Sequence, residues 1–380
     1  MVKIIRATTI PMSLDIFCNG MLKELSKKYD VIALSSPGNE ISHIKEREKV
    51  RVIEIPMERH ISLYKDIVSL FKLIAAFRRE KPQMVHSMTP KAGLLCMIAA
   101  WLARVPVRVH TFTGLVFPTS TGVKRWILKA TDRLTCACAT HVIPEGEGVK
   151  SDLLNNNITK KPLKVLGYGN VKGIDLKVYS RSRVCGSQFS VDLLHKKGKA
   201  FIFLFVGRIV KDKGINELVE AFSKLNNEYP KTGLWLVGPY EDSLDPVSDE
   251  ARRAIAENNG IESVGAKQGD ELLAYYAAAD CFVMPSYREG FPNTVIEAGA
   301  MDLPCIVTDI NGSREIIIDG KNGVIVPPKD KEALYNAMKL MLQSKADLER
   351  MAGNARIMIG NRFEQNFVRK CLYDFYDEIL

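Results

Sequence analysis

Short apolar runs recur along nearly the whole chain, and segments with helical spacing fill most of the gaps between them. In the first half the runs fall near residues 3–7, 30–34, 50–55, 83–87, 107–112, 140–143 and 163–166. In the second they fall near 201–206, 233–238, 261–264, 280–284, 304–307 and 323–326. Strand alternating with helix at this rhythm predicts an α/β, doubly wound arrangement, built twice. A first domain is expected over 1–175 and a second over 198–360. Between them, residues 176–197 carry Ser180-Arg181-Ser182-Arg183 and run into Lys196-Lys197-Gly198-Lys199, polar enough for a link with a short helix. The closing helical segment, 361–380, carries Phe363, Phe367, Leu372, Phe375 and Tyr376. With 380 residues and 46% hydrophobic content, two substantial cores are within reach.

Near the C-terminal third, Arg288-Glu289-Gly290-Phe291-Pro292-Asn293-Thr294-Val295-Ile296-Glu297 follows the apolar run Asp280-Cys281-Phe282-Val283-Met284-Pro285. The pattern predicts a buried strand, a tight loop and a helix start, with Pro292 at the first helical position. Glu289 then sits on the loop and Glu297 about one turn into the helix. Backbone N–H groups near Asn293 and Thr294 are left unpaired and positively polarised, a place for a phosphate. On spacing alone the same residues also read as a solvated loop glutamate and a helix-face glutamate. A second element upstream, Phe203-Leu204-Phe205-Val206-Gly207-Arg208-Ile209-Val210-Lys211-Asp212-Lys213-Gly214, runs an apolar strand into a glycine and spaced cations. The planar fork of Arg208 suits phosphate oxygens and Lys213 supplies a point charge, although a pair of surface cations at a turn has the same spelling.

Together the two elements resemble the retaining family 4 glycosyltransferases. The likeness extends to Gly167-Tyr168-Gly169-Asn170-Val171-Lys172-Gly173-Ile174-Asp175 and to Asn311-Gly312-Ser313-Arg314-Glu315, and is strongest from Val206 to Pro327. One departure stands out: Pro11-Met12-Ser13-Leu14-Asp15 follows the first strand where many members carry a glycine pair. The resemblance implies two facing Rossmann-like domains with an interdomain cleft, and a terminal helix that packs back on the first domain. It implies a donor site of Arg208, Lys213, Glu289, Gly290, Phe291, Asn293, Thr294 and Glu297, with Glu289 on donor-sugar hydroxyls and Glu297 on the ribose. His110, closing Arg108-Val109-His110 before Thr111-Phe112-Thr113-Gly114, is implied to face the transferred sugar. Ser13, His86 and Gly114 are candidates for the acceptor side. A histidine at a strand end is as readily a packed residue as a catalytic one.

The same resemblance implies transfer with retention of anomeric configuration. The stretches around His110 and His86 look like those of bacterial enzymes that take a UDP-sugar and extend a saccharide carried on polyprenyl diphosphate in surface polysaccharide biosynthesis. No Asp-x-Asp sequence occurs, so no metal and no cofactor is expected; two cations and a helix start can take the leaving-group charge. The eight cysteines are scattered mostly among apolar neighbours, and Cys136-Ala137-Cys138 is too close for a zinc pair, so reduced core thiols are expected.

The net charge of +9 is uneven: residues 1–200 hold 33 Lys and Arg against 16 Asp and Glu, and residues 201–380 hold 20 against 28. A basic first half suits an anionic membrane surface or an anionic lipid-linked substrate. Nucleic acid is not expected, since no helix-turn-helix, zinc-finger or aromatic single-strand platform is present. Two predicted helices, over 63–79 and 123–133, mix cations with bulky apolar groups. Each reads either as a domain helix with its stripe in the core or as an interfacial helix, Trp126 lying among cations as such helices often have it. Met1-Val2-Lys3 runs straight into a strand and no apolar stretch is long enough to span a bilayer, so a cytoplasmic, peripheral protein is expected. Alternatives are a UDP-sugar 2-epimerase-like enzyme, a glycosyltransferase with a soluble acceptor, and a non-catalytic binding protein. A dehydrogenase is opposed by the lack of Gly-x-Gly-x-x-Gly after the first strand.

Overall fold

The computed structural model describes residues 1–58, 62–184, 187–198, 200–242 and 245–380; Cys185 and Lys199 lie outside the described residues. The chain divides into two compact units, Met1–Gly173 with Asn366–Leu380, and Ile174–Gln365.

In the first unit, strands β1 (Lys3–Ala7), β2 (Asp30–Ser35), β3 (Arg51–Glu54), β4 (Met84–Met88), β5 (Val107–Phe112) and β6 (His141–Pro144) form one parallel sheet in the order β3-β2-β1-β4-β5-β6. Successive side chains point to opposite faces of a strand, so each strand feeds two cores. Ile4, Val31, Met84, Val109 and Ile143 meet α1 (Pro11–Phe17), α2 (Met21–Leu25) and α3 (Glu40–Glu48). Ile5, Ile32, Val85, Phe112 and Val142 meet α4 (Leu63–Glu80), α5 (Pro90–Leu102), α6 (Gly122–Cys138) and α7 (Glu147–Asn155). A seventh strand over 163–166 does not form; only a single bridge joins Leu163 to Val142. Pro162 has no N–H for a ladder and Gly167, at φ 57°, turns the chain away. Lys161 beside it donates to the carbonyls of Cys136, at 2.7 Å, and Ala137, at 3.1 Å, closing the end of α6.

The second unit repeats the design. Helices α8 (Arg181–Val184) and α9 (Gln188–Lys197) precede β7 (Phe201–Val206), α10 (Ile215–Glu228), β8 (Thr232–Val237), α11 (Asp249–Glu257), β9 (Ile261–Gly265) and α12 (Gly269–Ala278). Next come β10 (Cys281–Met284), α13 (Asn293–Ala300), β11 (Cys305–Thr308), α14 (Ser313–Ile316), β12 (Gly323–Val326), α15 (Lys331–Gln343) and α16 (Lys345–Phe363). The parallel order β12-β11-β10-β7-β8-β9 is the same winding as in the first unit. On α10, Ile215, Leu218, Val219, Phe222 and Leu225 recur at helical spacing and are all buried against the sheet. Each contributes about 2 kcal/mol of burial.

Two boundaries differ from the sequence expectation. Residues 176–197 are not a link: Val184 and Leu193 are buried in the second core, α9 packs on α12, and Ser187 caps α9 by accepting from the Ser190 N–H. The final helical segment is two helices. Phe363 ends α16 and packs on Phe291 in the second unit, ring centroids 5.4 Å apart. After Glu364 the chain restarts as α17 (Gln365–Ile379), whose Leu372, Phe375 and Tyr376 are buried in the first unit. The crossing is pinned where Ile174 N donates to Phe363 O and Gln365 N donates to Ile174 O. The seven described cysteines form no disulfide, and all but Cys371 are buried. Burial alone pushes the Cys96 thiol up to about 12.

Candidate active site

In the second unit β7 and β10 are adjacent in the sheet, but the helices that follow them go to opposite faces, α10 to one core and α13 to the other. The carboxyl ends of such a strand pair open onto a crevice, the usual ligand position in a doubly wound sheet. Arg208 and Lys213 follow β7; Glu289 through Thr294 follow β10. The two connections are tied together. Tyr287 N donates to Asp212 O at 2.8 Å, and Arg288 pairs with Asp212 at 3.1 Å. Gly214, at φ 71°, makes the approach possible, since a Cβ there would lie 2.1 Å from the Pro285 carbonyl oxygen.

Lys213 forms an ion pair with Glu289, both side chains mostly buried, and Arg208 forms one with Glu241 on the connection after β8. That connection is fastened to the β7 loop by Ile209 N donating to Pro239 O at 2.8 Å and Asp212 N donating to Asp245 Oδ2 at 2.7 Å. Pro292 stands at the N-cap of α13, one residue before its expected position, because its ψ of 103° is extended rather than helical. Asn293 and Thr294 form the first turn, and Thr294 directs its hydroxyl to Met284 Sδ at 3.9 Å. Gly290 is partly exposed, whereas the Phe291 ring lies in the core, leaving only its backbone for a ligand. Glu297 is buried and accepts from the Tyr276 hydroxyl at 3.1 Å. Desolvation, then this carboxylate, drives the Tyr276 phenol well above its ordinary pKa, so it stays a donor.

In the first unit the corresponding reversal lies between β1 and β4, with β5 beside β4. Thr9 and Thr89 join hydroxyls at 2.7 Å across the two strand ends, and Ala92 N, in the first turn of α5, donates to Thr9 Oγ1 at 3.1 Å. Thr89 sits at φ 71°, costly for a β-branched residue and held by these contacts. Ser13 is on the first turn of α1, and Gly114 is on the connection after β5. His110 and His86 point to opposite faces of the sheet. His110 faces α5, with Ser87 Oγ 2.9 Å from Nδ1, and burial pushes its pKa down to about 3. His86 faces α17: Nδ1 meets the Tyr376 hydroxyl at 2.6 Å and Arg6 at 2.9 Å, and Nε2 meets Thr111 at 2.7 Å. Both His86 nitrogens are thus engaged inside the core, beside a cavity of about 20 Å³ also lined by Arg6, Met88 and Leu372.

Sequence reasoning missed Glu241, Tyr276, Ser87 and Thr89. Only the position of Glu241 just past β8, beside a strand already known to end in a cation, offered a signal.

The two sheets share the winding of B-type glycosyltransferases. The crystal structure of Anabaena HepE in complex with UDP-glucose matches with a TM-score of 0.82 over 100% of both chains at 16% identity. Residues 17–169 match the family described as glycosyl transferase 4-like domain and residues 190–358 that described as glycosyl transferases group 1. The chain belongs to this glycosyltransferase family and is a glycosyltransferase. Over 380 residues it is 31% identical to the capsular polysaccharide biosynthesis glycosyltransferase CapM of Staphylococcus aureus, covering 100% of this chain and 97% of that protein. The Escherichia coli UDP-Gal:alpha-D-GlcNAc-diphosphoundecaprenol alpha-1,3-galactosyltransferase is 28% identical over 327 residues, 85% of this chain and 82% of that one.

Proposed function

We propose that the chain moves a hexose or N-acetylhexosamine, with retention, from a UDP-sugar to a saccharide carried on polyprenyl diphosphate during assembly of a bacterial surface polysaccharide. The observation that carries the donor side is the gathering of Arg208, Lys213, Glu289 and the start of α13 at the β7/β10 reversal. Departure of the nucleotide diphosphate is the hard step, because negative charge grows on it as the sugar becomes oxocarbenium-like. Fixed cations and helix-terminal N–H groups aimed at that charge stabilise it without reorganisation. In this reading the diphosphate takes Arg208 and Lys213 from their present carboxylates, Glu289 then receives sugar hydroxyls, and Glu297 accepts a ribose hydroxyl. The acceptor hydroxyl attacks from the leaving-group side and its proton goes to the departing phosphate oxygen. The charge on Arg208 and Lys213 makes a metal ion unnecessary.

The lipid-linked acceptor is supported by the surface of the first unit and by the Escherichia coli relative, whose name gives a diphosphoundecaprenol-linked acceptor. On α4, Leu63, Tyr64 and Phe71 are 77%, 79% and 66% exposed; on α6, Val123 and Trp126 are 74% and 68% exposed. Helices that return a parallel strand start at the carboxyl edge of the sheet, so Leu63, Tyr64, Val123 and Trp126, in the opening turns of α4 and α6, lie toward the edge of His110 and Gly114, with Phe71 about two turns further along α4. Lys72, Lys124, Arg125 and Lys129 accompany them. Among the described residues no helix is long and apolar enough to cross a membrane. The test is transfer from UDP-glucose, UDP-galactose, UDP-N-acetylglucosamine and UDP-N-acetylgalactosamine to undecaprenyl-diphosphate-linked N-acetylglucosamine, with the anomer read by NMR. Turnover of one donor, with an α-linked product unaffected by EDTA, is expected. Failure with all four, or epimerisation of a UDP-sugar without acceptor, overturns the proposal.

A further inference from the structure

We infer that Ser87 is a positioning residue for transfer: its hydroxyl accepts from His110 Nδ1–H, so the neutral ring presents a bare Nε2 as acceptor for a hydroxyl of the transferred sugar or its acceptor. The inference rests on the reading of His110 as the residue facing that sugar.

Ser87 and His110 are register partners on β4 and β5, and their side chains share the α5 face of the sheet. Ser87 is wholly buried, with Oγ 2.9 Å from His110 Nδ1 and 3.5 Å from the Val109 carbonyl. A hydroxyl has one proton to give. Given to Val109 O, it leaves an oxygen lone pair for Nδ1–H, and every bond along Val109, Ser87 and His110 is polarised the same way. The ring is also closely confined. Phe112 stands edge-on, centroids 4.4 Å apart, and a Cβ on Gly93 would lie 2.3 Å from Cε1 and 2.8 Å from Nε2, so the imidazole is pressed against the glycine backbone. Nε2 has no hydrogen-bond partner among the described residues and is not one of the unpartnered atoms sealed from solvent. A ring this hard to protonate is a poor base, which leaves it the part of a fixed hydrogen-bond acceptor.

The experiment is long-range nitrogen–proton NMR on the full chain labelled at histidine, without ligand, His110→Gln identifying the His110 signals by their loss. The wild type is expected as the Nδ1–H tautomer, and Ser87→Ala as a mixture shifted toward Nε2–H. In the UDP-sugar assay Ser87→Ala should lower kcat about tenfold, the rate equivalent of one net hydrogen bond, with donor KM nearly unchanged. Ser87→Thr, which keeps the hydroxyl, should restore both signals. A wild-type Nε2–H tautomer overturns the inference, and this readout stands even if a Ser87 variant fails to fold. Unchanged tautomer and kcat in Ser87→Ala overturn it as well. If His110→Gln transfers at the wild-type rate, the reading of His110 itself falls, and with it the role of Ser87 in transfer.

Discussion

Arg208 and Lys213 are each paired with a glutamate, Glu241 and Glu289 respectively. In the proposed reaction Glu289 goes on to receive donor-sugar hydroxyls, whereas Glu241 is only the counter-ion that the diphosphate displaces. Glu241→Gln should therefore tighten UDP by up to about fivefold by titration calorimetry, matching the 0.2–1 kcal/mol that a partly exposed pair is worth. Arg208→Ala should fold normally and lose transfer by a factor on the order of 10²–10³. Weaker UDP binding in Glu241→Gln would mean that the carboxylate orients the guanidinium for the phosphate instead. Reading Arg208, Lys213, Glu289 and Glu297 as one set came from the family resemblance, whereas the places of Arg208 and Lys213 after β7, and of Glu289 and Glu297 after β10, were legible because each strand and its following loop are spelled locally. Glu241, Tyr276 and Ser87 were not, since a partner's identity is fixed only when distant strands align in register.

Helices α4 and α6 carry the same ambiguity at the next scale, because a stripe of apolar residues spells a core face and a membrane face alike. On α4 the outcome is split along its length. Leu73, Ala76 and Phe77 are packed into the first unit, while Leu63, Tyr64, Ile67 and Phe71 remain exposed. Replacing Tyr64, Phe71 and Trp126 together by serine should leave the fold intact and abolish sedimentation with phosphatidylglycerol vesicles. The wild type should bind at low ionic strength and release as salt is raised. Equal binding by the triple variant would reject this surface as the docking face. The twelve strands among the described residues were all readable, because short apolar runs in a parallel sheet have few other uses. The segment at 163–166 misled, its apolar residues being flanked by a proline and a turning glycine.

For the whole molecule, burial of His86 and His110 links stability to pH. Both are held neutral when folded, His86 by desolvation and then Arg6, and His110 by desolvation down to about 3. Unfolded, each takes up a proton near its ordinary pKa of about 6.5. Because the folded value is the lower one, stability is at its full level above that pH and is lost as pH falls below it, at about 1.4 kcal/mol per unit for each ring, for His110 down to about 3. Asp132, whose carboxyl burial pushes up to about 7, works the other way and gains stability as pH falls below 7. The comparison must therefore be of variant with wild type. Between pH 7 and pH 5, His110→Gln should lose about 2 kcal/mol less than the wild type in urea unfolding of the first unit. An identical pH dependence would show that His110 takes up its proton at the same pH folded and unfolded.

The insertion of α17 into the first unit sets a schedule for biosynthesis. Residues 174–365 form one uninterrupted body and can close as soon as they have emerged. The sheet of the first unit must wait with Arg6 and His86 lacking Tyr376 until residues 366–380 have left the ribosome, so the unit begun earlier is finished later.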